Sequence, residues 1–419
     1  MLPPSSSTSS SEPVRADWPY GHARFHRRVL ITLLWTIAGL FVIDVAIGLI
    51  FRMPTDARKE GSSLQNYFNY GRSIEGKLRH LVGKTADEDA PIVQAGWLSH
   101  ECDVERRFPA GKTGFDIYGM SFTGYIADEM TALDPRLASR QFGGPAAPAN
   151  HTYACFLRRF EARRDLAPIQ IMGVLASSVR RMETISGLTT SFESPMPFSY
   201  PRYSLTQDGS LVGHMPPIES ANDLRVALDD SDKWRAFEQE LVSNDYFFFR
   251  PVFRADVFDH SVIARMIRRA WGQRFLNQRT DALRAADGFS GAPDIRGVLG
   301  AILVDFANRA RERGTRPIVI LIEDRGFGES LSRATVPTLK ANHVDFLATS
   351  TIVSPDDSAN FVGDGHFTPA AFEKIARAVL GLLGGDIPDR SPQLWLTSAQ
   401  LARKHRRIRG LRAGTAYIC

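Results

Sequence analysis

Residues 114–122 of this chain read GFDIYGMSF. The first part is a short apolar run that is typical of a buried β-strand, and a Gly-Met-Ser turn follows it at once. Residues 123–133 then have the pattern of a helix. A buried strand that turns directly into a helix is the unit from which open α/β sheets are built.

The alternation of strand and helix continues along most of the chain. Short apolar runs at 168–174, 317–322 and 344–348 predict further buried strands, and the stretches between them have helical patterns. This alternation predicts an α/β fold with a mostly parallel sheet flanked by helices on both faces. Residues 195–258 are rich in Tyr, Phe, Pro and charged residues and break the alternation, so we interpret them as an insertion.

Residues 29–51 read VLITLLWTIAGLFVIDVAIGLIF and are long enough to cross the hydrocarbon core of a membrane as a helix. The run is apolar on every face and no small-residue cleavage site follows it. An uncleaved anchor is therefore expected rather than a core helix or a signal peptide. Asp44 is the exception within the run. Two explanations stay open for it: partial hydration near the helix end, or contact with a polar group on a partner helix in the bilayer.

The charges that flank this helix favour a cytoplasmic N-terminus, since slightly more Lys and Arg residues precede the helix than follow it. A single-pass protein of the cytoplasmic membrane is expected, with its large domain in the periplasm or another extracytoplasmic space. The predicted organisation is a disordered N-terminus over 1–28, a transmembrane helix over 29–51, a stalk or helical segment over 52–111, an α/β domain over 112–385 and a basic tail over 386–419.

The net charge of +5 is modest, and much of it lies at 403–409, which reads RKHRRIR. We interpret this tail as a solvated end rather than as a contact with anionic lipid or an acidic polymer. The chain lacks the basic density and the motifs of a nucleic-acid binder, so no nucleic-acid partner is expected. The cysteines, Cys102, Cys155 and Cys419, lack metal-ligand spacing, and no metal or cofactor is expected. Cys102 and Cys155 are either a disulfide or small buried side chains.

Two short segments carry residue types that suit acyl transfer. Ser121 follows a strand at the edge where ligands bind in open α/β sheets, and the free N–H groups of the helix that begins there can stabilise an oxyanion. Asp364 and His366 lie between the last predicted strand and the last helix. An Asp at this spacing can orient the imidazole through Nδ1, which leaves Nε2 to take the proton of a serine.

With these two motifs the sequence resembles the SGNH, or GDSL-type, hydrolase superfamily over roughly residues 112–385. Ser121 matches the first block of that family, as GMS in place of GDS. Asp364 and His366 match the last block, as DxH in place of the more usual DxxH. The resemblance implies a flavodoxin-like three-layer domain with a catalytic triad of these three residues.

The middle blocks of that family supply a Gly N–H and an Asn side chain to the oxyanion hole. Gly143, Gly144 and Asn150 are candidates for the second block, and Gly173 stands where the third block has its Gly. The Asn expected two residues after Gly173 is Leu175 here, and Asn150 is either its replacement or an ordinary cap or loop residue. The resemblance therefore implies an oxyanion hole formed by the N–H of Ser121 together with Gly144 or Gly173.

Taken with the membrane anchor, the resemblance points to proteins similar to the alginate O-acetylation proteins, which add or remove acyl groups on bacterial cell-surface polysaccharide. The expected function is an extracytoplasmic serine esterase or O-acyltransferase that acts on acyl, in the first place acetyl, esters of such a polysaccharide. An integral-membrane O-acyltransferase is an expected partner. The alternative is a catalytically degenerate scaffold or glycan-binding subunit of a membrane complex that modifies polysaccharide.

Overall fold

The computed structural model describes residues 21–55, 61–82, 95–162, 164–286, 288–290 and 293–384. Most of the predicted disordered N-terminus (1–20) and the predicted basic tail (386–419) lie outside the described residues. The strands in chain order are β1 Thr113–Gly119, β2 Leu137–Gly143, β3 Ile169–Leu175, β4 Arg202–Leu205, β5 Leu211–His214, β6 Arg284–Ala285, β7 Gly288–Phe289, β8 Arg316–Ile322 and β9 Asp345–Ala348.

The helices of the described residues vary from one turn to 30 residues in length. In chain order they are α1 Gly21–Ile50, α2 Ser63–Asn69, α3 Ile74–Val82, α4 Leu98–Cys102, α5 Ser121–Leu133, α6 Ala149–Glu161, α7 Ala221–Asp229, α8 Ser231–Asn244, α9 Arg250–Phe253, α10 Val262–Ala282, α11 Ile295–Glu312, α12 Ser330–Ala341 and α13 Pro369–Leu382. The segment after β3, Ala176–Glu183, is a 3₁₀ helix, where the sequence pattern predicts an ordinary helix.

Five strands form one parallel sheet in the order β2-β1-β3-β8-β9. Helices cover both of its faces. On one face Tyr118 shares a core with Phe156 of α6 and Phe306 of α11, whose rings lie 4.8 Å apart. On the other face Ile117 shares a core with α5 and with Ile375 of α13. The predicted α/β class, with a parallel sheet between helices, is confirmed.

The apolar pattern of the sequence does not predict β2, because this edge strand reads LASRQFG. Its central residue, Arg140, is 5% exposed, and its Nε lies 2.6 Å from Oδ1 of Asp116 on the neighbouring strand. Asp116 is fully buried and also accepts hydrogen bonds from the N–H of Ala167 and from Nε2 of Gln170. A buried charge is tolerated only when it is paired and hydrogen-bonded in this way. The ion pair with Asp116 therefore allows this polar sequence to form a strand of the sheet.

The insertion is larger than the predicted 195–258, and the predicted stalk is part of its core. A cluster of buried side chains joins Phe192 and Phe253 of the insertion to Ile74 and Leu78 of α3. Lys77 of the same helix is buried as well, and its Nζ donates to the carbonyl oxygen of Phe192 at 2.5 Å. Helix α3 therefore differs from a separate stalk, because its apolar face is covered by the insertion.

Helix α1 is long and apolar enough to cross a membrane over Phe25–Ile50, with a mean hydropathy of 2.3, and no other helix in the described part of the chain is. A straight helix of these 26 residues is about 39 Å long, against about 30 Å for the hydrocarbon core. The chain thus has the one N-terminal apolar helix that the sequence predicts.

Asp44 of this helix has a partner that neither sequence-based explanation foresaw. It is 8% exposed, and its Oδ1 accepts hydrogen bonds from Oγ of Ser261 at 3.1 Å and from the N–H of Ile263 at 2.7 Å. Both donors lie at the N-terminus of α10, where N–H groups are unpaired and the helix dipole favours a carboxylate. The polar partner of Asp44 therefore belongs to the same chain, and the contact fastens the domain to α1.

Cys102 and Cys155 form a disulfide that joins α4 to α6, with their Cα atoms 5.2 Å apart. The sequence left open whether these cysteines form a disulfide or are small buried side chains, and the structure contains the disulfide. Both cysteines are fully buried within the core that also contains Phe156. The disulfide therefore holds the segment before β1 against the helix that follows β2.

Candidate active site

Ser121 is the first residue of α5 and follows the carboxyl end of β1. The helix begins close to the sheet because two glycines leave room for Thr123 in its first turn. A Cβ on Gly119 would lie 2.5 Å from Cγ2 of Thr123, and a Cβ on Gly173 of β3 would lie 2.1 Å from the same atom. Thr123 is also fixed by a hydrogen bond of 2.6 Å from its Oγ1 to the carbonyl oxygen of Met120. Small residues on two strands thus set the position of Ser121.

The start of α5 offers unpaired backbone donors beside the Ser121 hydroxyl. The first backbone hydrogen bond of the helix runs from the N–H of Gly124 to the carbonyl oxygen of Met120. The N–H groups of Ser121, Phe122 and Thr123 therefore have no partner within the helix. Met120 stands at the N-cap without a side-chain hydrogen bond to these groups. Such donors, together with the helix dipole, favour negative charge at this point.

His366 reaches Ser121 from a tight loop before α13. Phe361 and Phe367 pair as an antiparallel bridge, and the N–H of Val362 donates to the carbonyl oxygen of His366 at 2.8 Å. Between them Gly365 has a φ of +86°, a left-handed conformation that side chains with a Cβ rarely adopt. The loop closes where Thr368 caps the last helix, its Oγ1 accepting the N–H of Ala371. This hairpin presents the His366 ring at the sheet edge.

The hydroxyl oxygen of Ser121 and Nε2 of His366 lie 2.7 Å apart, which is hydrogen-bond distance. On the other side of the ring, Nδ1 lies 3.1 Å from Oδ1 of Asp364. That oxygen also accepts the backbone N–H of His366 at 3.1 Å, and Nδ1 is not aligned for a hydrogen bond of its own. The carboxylate therefore acts on the ring mainly as a nearby charge. The structure brings Ser121, His366 and Asp364 together in the order of a triad.

Aromatic side chains hold the histidine loop against the start of α5. The ring of Phe122, the residue after Ser121, lies 4.7 Å from the ring of His366 and 5.3 Å from that of Phe367. Tyr125, one turn further along α5, meets the His366 ring edge-on at 5.5 Å. Because Phe122 contacts both loop residues, the two halves of the site are fixed by one packed cluster. This packing holds the His366 ring at a fixed position beside Ser121.

The site is open to solvent on its acidic side. The side chain of His366 is 12% exposed, that of Asp364 is 58% exposed, and Ser121 is half-buried. Partial burial raises the pKa of Asp364, but the backbone N–H, ring and charge of His366 outweigh it and hold that pKa below its usual value. Asp364 is therefore ionised at neutral pH and supplies a negative charge beside the ring.

The candidate oxyanion residues lie in different environments. Gly144 is buried, and a Cβ there would lie 2.9 Å from Cα of Gly96, so the residue packs inward. Gly143, not Gly144, stands opposite Gly119 in the register of β1 and β2, and a Cβ on it would lie 1.8 Å from the carbonyl oxygen of Gly119. Gly173 lies within β3 against Thr123, as described above. Of these glycines, Gly143 is thus the one beside the turn that precedes Ser121.

Asn150 lies in the first turn of α6 and is fully buried. Its Nδ2 donates to the carbonyl oxygen of Pro201 at 2.8 Å, while its Oδ1 has no hydrogen-bond partner. This contact ties α6 to the insertion and uses the amide nitrogen that an oxyanion hole needs. Leu175, where the third block of the resembled family has Asn, is buried in the core. Neither position presents a free amide in this conformation.

Sequence reasoning missed a polar cluster at the same carboxyl edge of the sheet. Asp324 follows β8, and its Oδ1 accepts the N–H of Ser177, which follows β3, at 3.0 Å. Burial raises the pKa of Asp324 against the effect of this hydrogen bond. Arg180 lies in the same 3₁₀ segment, and burial, followed by the charges of Arg181 and Arg284, lowers its pKa to about 10. The helix predicted over Ser177 and Arg180 gave no indication that these residues lie near Asp324.

In the part of the chain that the structure describes, no group of three or more His, Cys, Asp or Glu side chains is placed to hold a metal ion. Comparison of the chain with protein-family models and with curated proteins found no match. The chemistry assigned to Ser121 below therefore depends on the geometry of its own site.

Proposed function

We propose that this chain is a serine esterase or O-acyltransferase with a Ser121–His366–Asp364 triad. The observation that carries the proposal is the 2.7 Å contact between Oγ of Ser121 and Nε2 of His366, with Asp364 3.1 Å from the opposite ring nitrogen. A nucleophile, a base and a carboxylate beside the far nitrogen of the base, in that order, are the geometric signature of acyl transfer.

The reaction proceeds in two steps, the acylation and the deacylation of Ser121. Oγ of Ser121 attacks the ester carbonyl carbon while Nε2 of His366 takes its proton, and the carbonyl oxygen becomes an oxyanion. When the C–O bond to the leaving alcohol breaks, His366 returns the proton to that alcohol and an acyl-serine remains. Water or a sugar hydroxyl then attacks the acyl carbon and loses its proton to His366. The bond between the acyl carbon and Oγ breaks, and His366 returns the proton to Oγ of Ser121. Hydrolysis and transfer differ only in this second acceptor.

The unpaired N–H groups at the start of α5 support the charge development that this reaction requires. The N–H of Ser121 lies beside its own hydroxyl, and the helix dipole points its positive end at the same place. Asp364 stabilises the imidazolium that His366 becomes in each step, because its lowered pKa keeps it ionised. Gly143 is the further backbone donor that the strand register places nearest to this turn.

The location and substrate class of the proposed enzyme follow from features outside the site. The apolar helix α1 supports single-pass membrane anchoring, and the Cys102–Cys155 disulfide supports an oxidising, extracytoplasmic compartment for the domain. An N-terminus in the cytoplasm is consistent with both. The resemblance of its motifs to SGNH hydrolases, together with the anchor, supports acetyl esters of a cell-surface polysaccharide as substrate. An integral-membrane O-acyltransferase would supply or receive the acyl group.

Hydrolysis of p-nitrophenyl acetate by the detergent-solubilised full chain, with and without an acceptor glycan, tests this proposal. An esterase releases acetate whether or not a glycan is present, whereas a transferase acetylates the glycan, which mass spectrometry detects. Ser121→Ala and His366→Ala are expected to abolish both products. Equal activity in Ser121→Ala and the wild-type protein would end the proposal.

A second candidate function, a non-catalytic scaffold or glycan-binding subunit, is favoured by one specific observation. The position of the third-block Asn holds the buried Leu175, and the amide nitrogen of Asn150 is bonded to Pro201. A site without an amide donor loses about 10²–10³-fold in rate where such a donor normally contributes. The scaffold is favoured if the purified chain binds an acetylated glycan without forming an acyl-serine on Ser121.

A further inference from the structure

A polar cavity lies away from Ser121, beside the edge strand β2. Its volume is about 420 Å³, within the range of roughly 300–1,000 Å³ that small-molecule sites have. The walls come from the loop before β1, from β2 and from the end of α6. Five arginines and two carboxylates line it, namely Arg106, Arg107, Arg140, Arg159, Arg164, Glu105 and Asp165, with Phe108.

The arginines of this cavity are only partly neutralised. Arg140 pairs with Asp116 below the cavity, and Arg164 pairs with Glu105 at its rim. The other three, Arg106, Arg107 and Arg159, have no carboxylate partner among the residues that the structure describes. Like charges gathered around a concave surface raise its positive potential. The cavity is therefore suited to an anion.

Arg159 supplies the most specific evidence. It is 3% exposed, yet its Nε has no hydrogen-bond partner. Its guanidinium lies over the ring of Phe142, 3.9 Å from the centroid, and its Nη1 donates to the carbonyl oxygen of Cys102 at 3.3 Å. Arg159 nevertheless lines the cavity, and no carboxylate among the described residues pairs with it, so its charge favours an anion placed there. The ring beneath the guanidinium fixes the plane of its N–H groups.

Arg140, which also lines the cavity, is held in place by other contacts. Its guanidinium is held by both oxygens of Asp116, and it lies over the ring of Phe108 at 4.2 Å. Both arginines are thus ordered before any ligand enters, which lowers the entropy lost on binding. A planar guanidinium presents paired N–H groups that match the oxygens of a carboxylate or a phosphate.

We propose that this arginine cavity is a binding site for an oxyanionic ligand whose carboxylate or phosphate group is held by Arg159, with Arg106 and Arg107 at the mouth. The volume admits a group larger than the oxyanion alone, such as a sugar ring that bears it. The site uses no residue of the proposed triad and does not depend on acyl transfer. Because β2 rises about 3.3 Å per residue, Arg140 lies roughly 10 Å from the end of the strand at Gly143. The two sites are therefore separate.

Isothermal titration calorimetry on the full chain in detergent micelles tests the proposal, with inorganic phosphate and galacturonic acid as separate probes. Binding of phosphate alone indicates a phosphate-bearing ligand, and binding of galacturonic acid indicates an acidic sugar. Affinity is expected to fall as sodium chloride rises, because salt screens charge pairs that solvent reaches. Failure of both probes to bind at low salt would overturn the proposal.

Three variants assign the binding to this cavity. Arg159→Gln is expected to raise the dissociation constant about tenfold or more, since a charge-assisted hydrogen bond is lost. Arg107→Gln, at an exposed position where folding is not at risk, is expected to raise it about threefold. Arg235→Gln on α8 removes another exposed arginine, which does not line the cavity, and should leave the dissociation constant unchanged. Equal affinity in Arg107→Gln, Arg235→Gln and wild type, or an equal loss in both, would contradict the assignment.

Discussion

Replacement of Gly173 by Ala tests how the sheet positions the nucleophile. The added Cβ would lie 2.1 Å from Cγ2 of Thr123, whereas carbon atoms in contact are about 3.5–4.0 Å apart, so Thr123 must move by roughly 1.5 Å. Thr123 is buried, and Gly119 already approaches it from the other strand. The first turn of α5, which includes Ser121, must therefore shift. Overpacking of this kind costs about 1–3 kcal/mol of folding free energy.

Two measurements detect this shift of the first turn of α5. The melting temperature of Gly173→Ala should fall by on the order of 2–4 °C for each kcal/mol lost. The rate of fluorophosphonate labelling at Ser121 should fall by about 10²-fold, since a displacement of about 1 Å has an effect of that size on a reacting group. Gly381→Ala is the matched control, because a Cβ on Gly381 in α13 meets no atom within 4 Å.

A second substitution makes this prediction refutable. Thr123→Ser deletes Cγ2 but keeps the hydroxyl that donates to Met120. In the double variant with Gly173→Ala, the labelling rate and the melting temperature should recover most of the loss. The reasoning is refuted if Gly173→Ala labels at the wild-type rate, or if Thr123→Ser restores neither quantity.

Three further predictions concern charged side chains. Asp364→Asn keeps an acceptor for the backbone N–H of His366 but removes the negative charge. The rate of ester hydrolysis should therefore fall, though less than in His366→Ala, with little change in melting temperature. A loss of rate equal to or larger than that of His366→Ala would contradict this. Burial raises the pKa of Asp245 to about 7, so between about pH 4 and pH 7 the folded state holds a proton that the unfolded state has lost. The free energy of unfolding of the wild-type protein should therefore fall as the pH rises through this range. Asp245→Asn should flatten that dependence of the melting temperature on pH, and an unchanged slope would refute it. Asp44→Leu removes the acceptor at the start of α10, so amide hydrogen exchange over 261–266 should accelerate, while unchanged exchange would show that the contact is dispensable.

The features that sequence alone predicted are those with local signals. In β1, β3 and β8 every residue after the first is buried, so composition identifies these strands. Ser121 was found because it follows such a strand directly. His366 and Asp364 were found because they stand between the last strand and the last helix. The topology places the ends of these strands at one sheet edge, so local motifs were enough to predict that the three residues lie near one another.

The features that sequence missed depend on distant partners. Strand β2 looks polar until Asp116 is seen to pair with Arg140. The surroundings of Gly144 and Asn150 could not be inferred, because both follow this unrecognised strand. Asp44 finds its donors more than 200 residues along the chain, a contact that no periodicity encodes. The cavity at Arg159 likewise exists only once α6 packs against β2.

The most direct test of the proposed chemistry is site-resolved labelling of the full chain. The detergent-solubilised protein is reacted with a fluorophosphonate, digested, and mapped by mass spectrometry. We predict a single phosphonylated serine, Ser121, with no adduct in Ser121→Ala and greatly slowed labelling in His366→Ala, because Nε2 of His366 lies 2.7 Å from the nucleophile. An unlabelled wild-type protein, or an adduct at another serine that persists in Ser121→Ala, would contradict the triad.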